Sequence, residues 1–206
     1  MSSARFITIE GIDGAGKSTH LATMAARLRA SGQELVQTRE PGGTPLAEAL
    51  RELVLGAREP ADALTESLMV FAARRDHVRR VIRPALERGA RVLCDRYADS
   101  SFAYQGGGSG APWAALEQLE AWACEGLQPD LTLWFDLDPM EAARRRAAAR
   151  EADRFEAEDL AFFERASEAF ARRAREHATR FVRIDAGQGI EQVAAQVAAA
   201  LQERGL

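Results

Sequence analysis

Phe6-Ile7-Thr8-Ile9-Glu10-Gly11-Ile12-Asp13-Gly14-Ala15-Gly16-Lys17-Ser18-Thr19 is the stretch that decides the fold. Its apolar, partly β-branched beginning reads as a strand and runs without a spacer into G-x-x-x-x-G-K-[ST]. A helical stretch, Ser18–Ala30, follows at once. The glycines let backbone N–H groups converge on phosphate oxygens, and the helix N-terminus adds its positive end. Lys17 is placed to reach β- and γ-phosphates, and the Ser18 hydroxyl to stand beside Mg²⁺. Gly11, Ile12, Asp13, Gly14, Ala15, Gly16, Lys17, Ser18 and Thr19 are therefore expected to bind a nucleoside triphosphate.

Composition sharpens that expectation. Among 27 basic side chains in 206 residues, Lys17 is the only lysine, and the chain has no asparagine. A compact ammonium is not interchangeable with a planar guanidinium, so a lone lysine inside a phosphate loop points to chemistry. A guanine reader of the Asn-Lys-x-Asp type cannot be built here, which removes GTPase switches. Motors and large ATPases are usually longer, leaving a small kinase of nucleotides or metabolites. The 27 basic against 31 acidic residues, net −4, argue against a protein that coats nucleic acid. No apolar run reaches the roughly 18 residues a membrane span needs. Cys94 and Cys124 are too few for a disulfide framework and suit a reducing compartment. Met1–Arg5 leads directly into a strand, so no targeting segment is expected and a cytoplasmic location is.

Outward from the loop, short apolar runs alternate with longer amphipathic ones. Phe6–Ile9, Leu35–Thr38, Arg91–Cys94, Leu131–Phe135 and Phe181–Ile184 read as strands. Ser18–Ala30, Leu46–Leu55, Asp62–Arg88, Pro112–Glu125, Pro139–Arg150, Leu160–Ala178 and Ile190–Arg204 read as helices. The alternation predicts one α/β domain over residues 1–206, a five-stranded parallel sheet covered on both faces in three layers. Gly106–Gly110 reads as a loop, and Arg144–Glu158 as either a helix or a solvated flap.

Thr38-Arg39-Glu40-Pro41-Gly42-Gly43-Thr44, Asp95-Arg96-Tyr97, Tyr104-Gln105-Gly106-Gly107-Gly108 and Asp153-Arg154-Phe155-Glu156 follow the phosphate loop in order. With it they resemble the bacterial thymidylate kinases over nearly the whole chain, from about residue 5 to about 190. The resemblance implies a P-loop NTPase-type fold with an Arg-rich lid near 144–158. It also implies transfer of a phosphoryl group from ATP to dTMP for dTTP synthesis, with Mg²⁺, in a homodimer. The apolar face of Asp62–Arg88 could serve as the dimer contact.

The same resemblance distributes roles. Asp13 would accept a hydrogen bond from the dTMP 3′-hydroxyl. Asp95 would tie the metal or its waters, and Arg96 would bridge acceptor phosphate and transferring group. Asp136 and Asp138 also follow a strand and are rival carboxylates; the adjacent arginine favours Asp95. No basic residue occupies the variable positions of the loop, so charge at the transferring group must come from elsewhere. Arg150 and Arg154 are the candidates, with Arg144 or Arg145 near the adenine. On the acceptor side, Glu40 follows a strand and Arg51 matches the position that grips the dTMP phosphate. Phe71 and Arg74 lie three apart on one helix, where an aromatic platform and a base-edge donor can act together; Arg75 is the alternative donor. Ser101, Tyr104 and Gln105 complete the pocket, with Tyr104 beside the sugar and Gln105 at the thymine edge. His20, His77 and His177 show no metal-ligand spacing and receive no role. Rival functions are a kinase for another nucleoside monophosphate or deoxynucleoside, and a regulatory module that binds ATP without turnover.

Overall fold

The computed structural model describes residues 5–56, 61–147 and 158–206. Five parallel strands form the sheet: β1 (Phe6–Glu10), β2 (Leu35–Arg39), β3 (Arg91–Asp95), β4 (Leu131–Asp136) and β5 (Phe181–Asp185), in the order β2-β3-β1-β4-β5. All five expected strands are present within a residue of their expected ends. β1 is central and buried along its length, which is why it is apolar at every position but Thr8 and Glu10. Thr8 spends its hydroxyl on Thr132 of β4, 2.8 Å away, so the one polar side chain in the strand interior is satisfied.

Helices cover both faces. One layer holds α1 (Lys17–Ala30), α7 (Pro139–Ala147), α8 (Leu160–Glu176) and α9 (Ile190–Glu203), packed through Met24, Leu28, Phe163, Phe170, Val197 and Leu201. The other is built by α3 (Ala63–His77), α4 (Arg83–Glu87) and α6 (Trp113–Cys124), through Phe71, Val78, Ile82, Ala85 and Leu116. α2 (Pro45–Gly56) lies against α3. Each large side chain fully withdrawn from water in these layers contributes about 1.5–3 kcal/mol. The helix expected over Asp62–Arg88 is α3 and α4 joined by a π-helical turn, Val78–Ile82.

Gly106–Gly110 is where the expectation of a loop fails. After α5 (Ala98–Ser101) the chain continues as a π-helical segment, Phe102–Gly108, and reverses only at Ser109–Gly110. The glycines serve close packing there. A Cβ on Gly107 would lie 2.5 Å from the Arg165 carbonyl oxygen, and one on Gly108 would enter the Phe162 ring. Helix α8 can therefore lie directly on this segment, and Arg165 Nη2 donates to the Gly108 carbonyl at 2.7 Å.

Candidate active site

The loops leaving β1, β2 and β3 converge at the carboxyl end of the sheet, where ligands of open α/β sheets bind. Residues 11–16 turn tightly between β1 and α1, with Gly11, Gly14 and Gly16 at φ of 140°, 90° and 83°. A Cβ on Gly14 would sit 2.5 Å from the Ala142 carbonyl, and one on Gly11 would strike that of Phe135, so only glycine lets β4 and α7 back this loop so closely. Lys17 Nζ donates to the carbonyls of Gly11 and Ile12 at 2.8 and 3.0 Å. Burial, with Arg96 nearby, lowers its pKa to about 8 against the pull of Asp13, Asp95 and Glu10.

Arg96 is the hub of the site. It takes φ 70°, a conformation non-glycine residues adopt rarely and at a cost of order 1–3 kcal/mol. What holds it there is local. Its N–H donates to the Ile9 carbonyl, while Nη1 donates to Gly11 O and Ser100 Oγ, each at 3.0 Å. Nη2 pairs with Asp13 Oδ1 at 2.5 Å and donates to Tyr104 Oη at 3.0 Å. The Tyr104 hydroxyl in turn donates to Asp13 Oδ2 at 2.7 Å. Burial alone would raise the Asp13 pKa, but Arg96, Lys17 and Tyr104 together hold it well below the usual carboxylate range. Beneath the hub, Glu10 accepts from the Tyr97 N–H at 2.7 Å and the Ser100 hydroxyl at 2.6 Å. Its burial, beside Asp99, pushes its pKa up to about 8.

Two cavities meet at this hub. The larger, about 1740 Å³, is bounded by the phosphate loop, Ser18, Thr19, Asp95 and Arg145. The smaller, about 570 Å³, is lined by Val70, Arg74, Tyr97, Ser101, Tyr104 and Gln105. Asp13, Glu40, Arg51 and Arg96 line both. Asp95 Oδ1 is buried without a hydrogen-bond partner among the described residues. A buried carboxylate oxygen so left calls for a donor or a cation, and the exposed Ser18 hydroxyl lines the same cavity. This donor set fits Mg²⁺. The rival carboxylates have structural partners: Asp136 pairs with Arg183 at 2.6 Å, and Asp138 Oδ1 caps the N–H groups of Met140 and Glu141.

On the acceptor side the Arg74 guanidinium lies over the Phe71 ring, 4.5 Å from its centroid, but the two do not both face the cavity. Arg74 lines the smaller cavity, but Phe71 does not; it is 2% exposed and packs in the α3–α6 layer. The turn of the helix presents Val70, four residues before Arg74, instead. The expected aromatic platform on α3 is thus an aliphatic one. Arg75 points away, donating to the Trp122 carbonyl and pairing with Glu125 at 2.7 Å. Arg74 itself is locked: Nε donates to Glu40 Oε2 at 2.6 Å, Nη1 to Ser101 Oγ and Nη2 to the Tyr97 carbonyl, both at 3.0 Å. Arg51 Nη1 donates to the Pro41 carbonyl at 3.1 Å.

His77, given no role from the sequence, stands behind this group. Its Nδ1 meets Glu40 Oε1 at 2.9 Å, and its Nε2 meets Thr38 Oγ1 at 2.7 Å. Burial would raise the Glu40 pKa, but Arg74 and His77 hold it below its ordinary value. Cys94 lies close enough for the three to suggest a metal cluster, yet both ring nitrogens and both carboxylate oxygens are already bonded. The signal for His77 was its position, three residues beyond Arg74 on one helix.

The lid residues divide. Arg150 and Arg154 lie outside the described residues. Arg144 points to solvent, 75% exposed, and its guanidinium is taken by Glu141. It lines neither cavity; Arg145 does, donating to the Ala186 carbonyl at 3.1 Å. Arg146, which the sequence did not single out, donates to the Asp13 carbonyl at 2.8 Å and stacks on Phe163.

Comparison with known proteins agrees with this architecture. The family model described as thymidylate kinase matches residues 9–197. Thymidylate kinase of Paracidovorax citrulli is 54% identical, over 98% of this chain and 94% of the relative. That of Paraburkholderia xenovorans is 53% identical, over 94% and 95%. The crystal structure of thymidylate kinase from Ehrlichia chaffeensis superposes with a TM-score of 0.78 at 34% identity, covering 97% of this chain and 99% of that one. A phosphate loop, a second cavity that meets it at Arg51 and Arg96, and similarity along almost the full length thus place this chain in the thymidylate kinase family.

Proposed function

We propose that this chain transfers the γ-phosphoryl group of ATP to the phosphate of dTMP, releasing dTDP and ADP. The observation that supports this most directly is the junction of the two cavities at Asp13, Glu40, Arg51 and Arg96. A triphosphate cradle opens there onto a base-sized chamber, with a pinned guanidinium between them. Transfer is direct and in line, and the protein supplies positioning and charge. ATP takes the larger cavity, its phosphates on the loop N–H groups and the N-terminus of α1. Lys17 exchanges its two loop carbonyls for the β- and γ-phosphates. dTMP takes the smaller cavity, with its phosphate on Arg51 and Arg96 and its 3′-hydroxyl on Asp13. Arg96 then contacts both the attacking oxygen's phosphate and the group in flight. Arg150 and Arg154 add charge from the lid. Ser18 and Asp95 would hold Mg²⁺, which neutralises developing charge on the β- and γ-oxygens.

The whole chain acts as one catalytic unit in the cytoplasm; no helix among the described residues is long and apolar enough to cross a membrane. Two chains pair through α3 and α6, whose exposed Leu68 and Trp122 flank an apolar groove with Phe71 beneath. Purified protein with ATP, Mg²⁺ and a panel of nucleoside monophosphates, followed by coupled ADP release, tests the reading. dTMP is the expected best acceptor. A different best acceptor selects the rival kinase, and ATP binding without ADP release selects the regulatory module.

A further inference from the structure

Glu66 lies on α3, one turn before Val70 and two before Arg74, and is 1% exposed. Its Oε1 accepts a hydrogen bond from Nε2 of Gln105 at 2.9 Å. Gln105 is 3% exposed and lines the smaller cavity beside Arg74 and Ser101. The chemistry of this contact decides which way the amide faces. An amide has a donor at one end and an acceptor at the other, whereas a carboxylate has acceptors only. Glu66 therefore captures the NH₂ end, and Gln105 Oε1 is the end left for the cavity. Turning the amide over would set two acceptors against each other in a buried place. Arg74 is locked in the opposite sense. Glu40, Ser101 and the Tyr97 carbonyl fix its plane, and a guanidinium can only donate.

We propose that Glu66 is a specificity-positioning residue, holding Gln105 as an acceptor beside the donor Arg74. A ring edge with a carbonyl next to an N–H satisfies that pair, as in a 4-oxopyrimidine. A 4-aminopyrimidine offers a donor to Arg74 and a bare nitrogen to Gln105, so both contacts fail together. The inference rests on the reading of this cavity as the seat of the acceptor base.

The test compares dTMP with 5-methyl-dCMP, which keeps the methyl group and changes only the 3,4-edge. In Glu66→Gln the residue can donate or accept, so Gln105 is released to turn over. The ratio of kcat/KM between the two acceptors is expected to fall at least about tenfold, because a lost polar preference of this kind dominates discrimination. KM for ATP should stay within about twofold, well under a single hydrogen bond's worth. A merely structural Glu66 would weaken both acceptors alike; an unchanged ratio overturns the proposal. If Glu66→Gln does not fold, Gln105→Leu is expected to narrow the same ratio, and an unchanged ratio there overturns it equally. Wild-type enzyme needs no variant: 3-N-methyl-dTMP, which lacks the N–H, should be turned over at least about a hundredfold less efficiently than dTMP. Comparable turnover overturns the proposal alone. A wild type that ignores dTMP overturns the acceptor reading, and this inference with it.

Discussion

The phosphate loop and the acceptor cavity meet at Asp13, which Arg96 pairs, but are built by opposite means. The loop is consecutive: residues 11–18 use their own backbone and one lysine, and the glycines that permit the turn also permit β4 and α7 to back it. The cavity gathers Glu40 after β2, Arg51 on α2, Val70 and Arg74 on α3, Ser101 on α5, and Tyr104 and Gln105 on the π-helical segment. Its polar side chains are held by other side chains, in the chains Thr38–His77–Glu40–Arg74 and Glu66–Gln105. A backbone cradle binds any triphosphate. A cavity of interlocked side chains can distinguish one base from another.

The largest effect should come from the loop. Lys17→Arg keeps the charge but puts a forked guanidinium where an ammonium reaches two carbonyls. Turnover is expected to drop at least about a hundredfold, as for other single contacts to developing charge. Activity near wild type in a steady-state assay would break the assignment of the loop.

Next come Arg150→Ala and Arg154→Ala, at positions outside the described residues. Charge that arrives with a lid acts mainly in the transition state, so kcat should fall at least about tenfold with KM for dTMP little changed. If both variants keep kcat within about twofold, the catalytic lid is wrong.

Val70 and Phe71, adjacent in sequence, sharpen the contrast between cavity and core. Phe71→Ala removes a buried ring from the α3–α6 layer and should cost about 3–5 kcal/mol of stability, read by denaturant unfolding. Val70→Ala should leave most of the stability and raise KM for dTMP severalfold, the worth of about 1 kcal/mol of apolar contact. The reverse outcome would restore Phe71 to the cavity.

The smallest effect concerns pH. The Glu10 carboxyl is held protonated up to about 8 in the folded state, against an ordinary 4.5. The native state thus binds the extra proton, so its contribution to stability is full below 4.5 and is lost as pH rises towards 8. Asp13 and Glu40, shifted downward, run the other way and lose their contribution on acidification. Glu10→Gln cannot ionise. Its melting temperature relative to wild type should therefore improve between pH 5.5 and pH 8.5, by a few degrees. A difference independent of pH would show that Glu10 does not titrate in this range.

What the sequence determined by itself was whatever is local. The five strands, the loop that joins the first strand to α1, and the strand-end positions of Glu40 and Asp95 follow from periodicity, apolar runs and consecutive glycines. Arg51, Arg74, Ser101, Tyr104 and Gln105 were also nameable, because the family resemblance carries position as well as type. Only the tertiary structure decided which face of α3 meets the cavity: a step from Phe71 to Val70 rotates a side chain by about 100°, and no periodicity in a helix buried on several sides marks the difference. It also turned the glycine run from a loop into a seat for α8, since close approach by a distant helix leaves no local signature. Likewise His77 and Glu66 looked ordinary in the sequence. Their partners lie 37 and 39 residues away. A buried hydrogen bond between such groups exists only once the sheet has brought β2, α3 and the π-helical segment to the same edge.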